Sequence, residues 1–131
     1  MIFVDTNYFL RFLLNDISEQ HNLVKKLFIK ASVGKENLST STIVFFEIYW
    51  VLSSLYKKEK SEIVEVLQKI LKLTFIKLQE RKILLDSLIL FKQTNLDLED
   101  CYNLHFAKSQ KMDIFGTFDK KLEKEFTKKD R

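Results

Sequence analysis

The sequence predicts an α/β fold: a central, mostly parallel sheet of four to five short strands, flanked by helices on both faces. Three observations predict it. Short apolar runs alternate with longer stretches of helical periodicity, and strands separated by helices imply parallel crossover connections. Proline is absent and glycine occurs only as Gly34 and Gly116, so turn chemistry is too sparse for an all-β sandwich. Hydrophobic residues make up 46% of the 131 positions. That is enough for one sizeable core and one domain over residues 1–131.

The elements follow in order. Residues 2–5 read as a first strand, because Ile2, Phe3 and Val4 form a short apolar run. Thr6 is the expected cap of a helix running to Leu14, which Asn15 and Asp16 break. Ile17, Gln20, Val24, Leu27, Phe28 and Ala31 recur at helical spacing, giving a second helix that ends near Gly34. Leu38 to Thr40 fits a short second strand. An apolar helix follows over residues 42–56, interrupted by Glu47. Ser61 opens a helix to Leu71, and residues 73–78 read as a strand. Residues 80–94 and 99–110 are helical, separated by a turn. Residues 113–118 read as a last strand and residues 120–126 as a last helix. A polar, frayed tail completes the chain.

Composition excludes several function classes. No apolar run approaches the roughly 20 residues that span a bilayer. The start has no basic segment before an apolar core, so no signal peptide is expected. A single cysteine, Cys101, rules out an internal disulfide and suits a reducing cytoplasm. The net charge of +4 permits a polyanionic partner but is spread widely along the chain. His21 and His105 stand at no catalytic spacing with a serine or cysteine, and Ser39 and Ser41 lack a base.

The informative residues are acids in unusual places. Asp5 sits where the first strand exits towards a helix, followed by Thr6 and Asn7. Ligands of open α/β sheets bind outside the carboxyl ends of the strands. Asp119 repeats the arrangement behind Phe115-Gly116-Thr117-Phe118, although an ordinary N-cap explains it as well. Glu47 lies among Ile43 to Phe46 and Ile48 to Leu52, where an unpaired carboxylate needs compensation. An ion pair, a proton or a metal ion would each supply it. Asp100 shares a helical phase with Leu104 and Ala107, which turns it inward. Asp97 and Glu99 fit first-turn acids favoured by the helix dipole.

Strand exits of a parallel sheet share one edge, so these carboxylates can converge. Converging carboxylates repel, and a hard divalent cation relieves that repulsion. Oxygen-only donors favour magnesium or manganese, and the lack of a Cys/His cluster disfavours zinc. A carboxylate-held cation is a standard device for phosphodiester cleavage, because it activates water and offsets phosphate charge.

Four segments carry a family resemblance: Val4-Asp5-Thr6-Asn7, residues 41–52 around Glu47, residues 96–100, and Gly116-Thr117-Phe118-Asp119. In order and spacing the chain resembles a PIN-domain nuclease, specifically the small VapC-type toxin of toxin–antitoxin pairs. The resemblance implies that Asp5, Glu47, Asp100 and Asp119 are catalytic and hold Mg2+ or Mn2+ for endoribonuclease chemistry. Thr6, Asn7 and Thr117 match polar positions beside that quartet. Asp97 replaces Asp100 if the helix starts earlier; Asp100 is preferred for its inward phase. The resemblance also implies an RNA substrate, a cognate antitoxin protein and a homodimer. Arg11, Lys57 and Lys58 are candidates for the RNA backbone. Two departures stand out: Cys101 replaces a customary small alanine, and no apolar strand follows the last helix. The rival readings are an RNA- or DNA-processing PIN nuclease outside toxin–antitoxin biology, and a catalytically silent nucleic-acid- or protein-binding domain on this fold. A metal phosphatase is disfavoured, since Asp5 lacks a second acid two residues on.

Overall fold

Three two-residue strands and seven helices make up the computed structural model, which describes residues 1–128. In chain order they are β1 (Ile2–Phe3), α1 (Thr6–Leu14), α2 (Ser18–Ser32), β2 (Leu38–Ser39), α3 (Thr42–Ser54), α4 (Lys60–Leu71), β3 (Ile76–Lys77), α5 (Arg81–Gln93), α6 (Leu98–Ser109) and α7 (Lys120–Thr127). The chain divides into two compact units, Met1–Arg81 and Lys82–Arg131.

The first unit holds the sheet. Its order is β1-β2-β3, and both pairs are parallel. Ile2 faces Leu38 and Phe3 faces Ser39; Leu38 and Ser39 in turn face Ile76 and Lys77. Each crossover carries a pair of helices, as parallel pairing requires. Backbone bonds extend the ladders past the strands: Val4 N donates to Ser39 O at 2.7 Å, and Thr40 N to Lys77 O at 2.9 Å. The Thr40 hydroxyl also donates to Val4 O at 2.8 Å. That bond pins the exit of β1 one residue before Asp5.

Aromatic packing holds α1 and α2 in this unit. Phe28 meets Phe9, Phe12 and Phe75 at centroid separations of 5.9, 4.9 and 5.8 Å. Tilted and edge-on geometries at these distances add to the stabilisation from burial. Helix α3 buries Val44, Phe45, Phe46, Ile48 and Leu52. Helix α4 buries Ile63, Val64, Leu67, Ile70 and Leu71. A reciprocal cap between Glu59 and Glu62 starts α4. The Arg81 side chain closes the unit by donating to the carbonyls of Leu71, Leu73 and Ile76. It thereby satisfies the last carbonyl of α4, which the helix leaves without an internal partner.

The second unit is helical. Leu84, Leu88, Leu98, Cys101 and Leu104 are its most deeply buried apolar side chains. Phe115 packs on Phe126 with centroids 5.4 Å apart. The Ser87 hydroxyl, fully buried, donates to Ile83 O at 2.6 Å.

Five expectations need correction. The sheet has three strands, not four to five. Residues 113–118 form no strand; an apolar run becomes a strand only with a ladder partner, and Asp113 and Gly116 are poor strand formers. The strands expected over residues 2–5 and 73–78 shrink to Ile2–Phe3 and Ile76–Lys77. Asp5, not Thr6, caps α1. The expected frayed tail splits: Thr127 closes α7, and residues 129–131 lie outside the described residues.

Candidate active site

The first unit carries Asp5, Thr6, Asn7, Arg11, Glu47, Lys57 and Lys58. Asp5 is exposed at the exit of β1, with extended backbone, and its Oδ1 accepts from Thr6 N at 2.6 Å. The Thr6 side chain is buried, and its hydroxyl is the buried side-chain polar atom without a hydrogen-bond partner among the described residues. Such an orphan is costly unless a further group completes it.

Glu47 departs from its expected surroundings. The helix around it is not buried on all sides. Ile43 is 61% exposed and Trp50 42% exposed. Ile43, Glu47 and Trp50 stand at offsets of four and seven, so they share one stripe. Glu47 is half-buried on that open stripe, and water offsets part of the cost that full burial would impose.

Two of the three cationic candidates form local ion pairs. Arg11 is held by Asp16 at 2.7 Å. Asn7 and Arg11 line one cleft of about 410 Å³ with Tyr8, Ile17 and Gln20. Lys57 adopts a left-handed backbone (φ 49°) in the turn after α3, and Lys58 reaches Glu62 at 3.8 Å.

The second unit carries Asp97, Asp100, Thr117 and Asp119. Asp97 is the exposed N-cap residue of α6. Asp100 lies in the first turn and is half-buried. Burial first, then the charges of Asp97, Asp119 and Glu99, push its carboxyl above the ordinary aspartate range. Asp119 caps α7: its Oδ1 accepts from Lys121 N at 2.8 Å and from Leu122 N at 3.4 Å. Its own N–H donates to the Thr117 hydroxyl at 3.0 Å. Thr117 therefore fixes the backbone that carries Asp119. The cleft of about 450 Å³ in this unit, lined by Lys82, Asp86, His105 and Lys108 among others, contains none of these acids.

One observation bears on a divalent cation. Asp97, Asp119 and Glu99 each disfavour the charged form of Asp100, and crowded negative charge is what a hard cation neutralises. Among the described residues, no three of His, Cys, Asp or Glu stand at metal-binding separation. The acids suit such an ion by donor type and charge, while their separations do not form a site for it.

Sequence reasoning passed over two features here. Phe118 is fully exposed beside Asp119, and Lys121, Lys124 and Lys128 line one shallow cleft on α7. Their spacing of three and four residues was visible in the sequence.

A parallel sheet whose first strand ends in a capping carboxylate, with further acids grouped on helix starts, fits the class of nucleolytic α/β domains. The chain matches the PIN domain family model over residues 2–125, and it belongs to that family. PIN domains are generally nucleases and generally use divalent metals such as Mg2+. No curated protein matches the chain, and no solved structure does. Among the described residues no helix is long and apolar enough to cross a membrane.

Proposed function

We propose that this chain is a metal-dependent endoribonuclease, the toxin of a VapC-type toxin–antitoxin pair, acting in the cytoplasm. The observation that carries the reading is the group of repelling carboxylates around Asp100 in a chain of the PIN-domain family. The net charge of +4 suits a polyanionic substrate. The reading treats residues 1–131 as one functional domain, and adds a homodimer and a cognate antitoxin protein as partners.

By the family resemblance, Asp5, Glu47, Asp100 and Asp119 would be the residues that hold Mg2+ or Mn2+. When bound, the ion supplies Lewis-acid activation of water and offsets charge developing on the phosphate. The protein's own contribution is preorganisation. Helix caps fix Asp5 and Asp119, and each cap bond goes to Oδ1. Thr40 holds the strand that delivers Asp5, and Thr117 holds the backbone of Asp119. The charge of Asp97 disfavours the ionised form of Asp100 and would favour a cation there.

The test is cleavage of total cellular RNA by the purified chain with Mg2+ or Mn2+, beside EDTA and Asp5→Asn. Asparagine caps a helix as well as aspartate does, so the variant removes charge and keeps α1. Discrete fragments that vanish in both controls are expected. Cleavage that survives Asp5→Asn would remove Asp5 from the site. RNA that stays intact with every metal would sink the nuclease reading.

A further inference from the structure

We infer that the cleft between α1 and α2 binds an organic monocarboxylate, whose acid group meets Arg11 and whose apolar body lies against Ile17 and Leu23. The site lies wholly within the first unit and stands apart from the ribonuclease reading.

The polar lining sets the sign of the ligand. Asn7, Tyr8, Arg11 and Gln20 line this space of about 410 Å³, a size within the range of small-molecule sites, roughly 300–1,000 Å³. Each of these side chains can donate a hydrogen bond, and no acid lines the cleft. The one charge on its walls is a cation. The complementary ligand is an anion with acceptor oxygens.

The donors are also available. The Arg11 side chain is 19% exposed, and its Nη1 donates to Asp16 Oδ1 at 2.7 Å. That is a single bond for a guanidinium whose fork carries several N–H donors. Among the described residues, the rest of that fork and the side chains of Asn7, Tyr8 and Gln20 make no hydrogen bond. Arg81 shows what a purely structural arginine does in this fold: its guanidinium is taken up by three carbonyls. The open part of the Arg11 fork matches the paired oxygens of a carboxylate.

The other wall decides which anion. Ile17 and Leu23 are 43% and 56% exposed, and Val24 is buried. An apolar body set against them leaves water favourably. An RNA backbone would set ribose hydroxyls there instead, and a doubly charged phosphate would exceed the single cation. One carboxylate on an apolar body matches both walls.

The cleft is preformed. Phe12 stacks on His21 with centroids 5.9 Å apart, and His21 Nδ1 donates to Arg11 O at 3.2 Å. Phe9 and Phe12 both pack on Phe28. These contacts fix α1 against α2, so a ligand has little left to order.

The experiment uses the full chain with octanoate as the probe. Binding is read by titration calorimetry and by the nitrogen–proton NMR signals of the Asn7 and Gln20 side-chain amides. Octanoate is expected to bind with a Kd of about 1 mM or tighter, and to shift both amide signals. Octanamide, with the same body and no charge, should bind about tenfold more weakly. Arg11→Met keeps the apolar stem and should weaken octanoate about tenfold. Gln20 is exposed, so Gln20→Glu leaves the fold intact; it brings an acid into the cleft and should weaken octanoate about threefold. Asp16→Asn removes the competing charge and should tighten it about threefold. Octanamide binding as well as octanoate overturns the proposal and leaves an apolar slot. Octanoate affinity unaltered by both Arg11→Met and Gln20→Glu overturns it, as does binding that shifts neither amide. Inorganic phosphate or a single-stranded RNA 12-mer binding through Arg11, where octanoate does not, overturns it and assigns the cleft to phosphate. No metal or RNA enters the octanoate titration, so a failed nuclease reading leaves its result untouched.

Discussion

Asp100→Asn is expected to abolish RNA cleavage, by at least about 100-fold, and to raise the melting temperature at neutral pH. The two effects share one cause. The carboxyl of Asp100 is half-buried and faces the charges of Asp97, Asp119 and Glu99. Burial and repulsion both disfavour its charged form, so its pKa in the folded chain lies above the value of about 3.9 expected unfolded. The folded state then binds the proton more tightly than the unfolded state does. The resulting stabilisation is present in full below the unfolded pKa, and it is lost as pH rises through the folded one. At pH 7 the charged form is a net strain on the fold, which asparagine relieves. The gain in melting temperature should be a few degrees at pH 7 and should fade towards pH 3.5. Thermal melts at the two pH values check the sign. Mg2+ should raise the melting temperature of the parent and have less effect on the variant, by binding linkage. A variant less stable than the parent at pH 7 would show that the charged carboxylate stabilises the fold, and would remove the conflict between stability and activity at this position.

The largest purely structural effect is expected at Arg81. Its guanidinium donates to three carbonyls, of Leu71, Leu73 and Ile76, and burial pulls its pKa down. Those acceptors close the end of α4 and the approach to β3. Arg81→Met keeps much of the apolar stem and removes every donor. Part-buried carbonyls left without partners should cost about 2–4 kcal/mol. For a chain of this size that lowers the melting temperature by roughly 10 °C. Arg81→Lys should recover only part of the loss, because an ammonium lacks the fixed fork that spans several acceptors. Urea unfolding of the three proteins measures both numbers. A midpoint for Arg81→Met equal to the parent's would show that water replaces the guanidinium at no cost.

Much of this was legible in the sequence, and what was not has physical reasons. Helices α3 and α4 announced themselves through apolar residues at turns of the helix, and Asp5 stood visibly behind an apolar strand. The opening of α3 towards solvent was also written there, because Ile43, Glu47 and Trp50 share one stripe. The apolar neighbours of Glu47 in sequence concealed it, since they lie on other faces of the helix. The strand expected over residues 113–118 failed because β-structure is a property of two segments, and apolar content in one segment cannot supply the other. The role of Arg81 left almost no mark in the sequence. Its acceptors are backbone carbonyls five to ten residues away, and main-chain groups leave no mark on residue identity. A cation at the start of α5, against the helix dipole, was the one signal that its side chain was needed elsewhere. The acids divide in the same way: the capping of α7 by Asp119 follows from position and type, the cap of α1 was expected at Thr6 and lies at Asp5, and the influence of Asp119 on Asp100 needed the fold.

Strands of two residues have a kinetic consequence. A ladder so short has almost no interior, so its amides owe their shielding to the helices packed around them. In heavy water the slowest protons should therefore sit in α3 and α4. The amides of Val4 and Thr40, although they extend the ladders of the sheet, should exchange in the same opening event as those helices and never after them. The sheet would then set the course of the chain, while the helices set its lifetime.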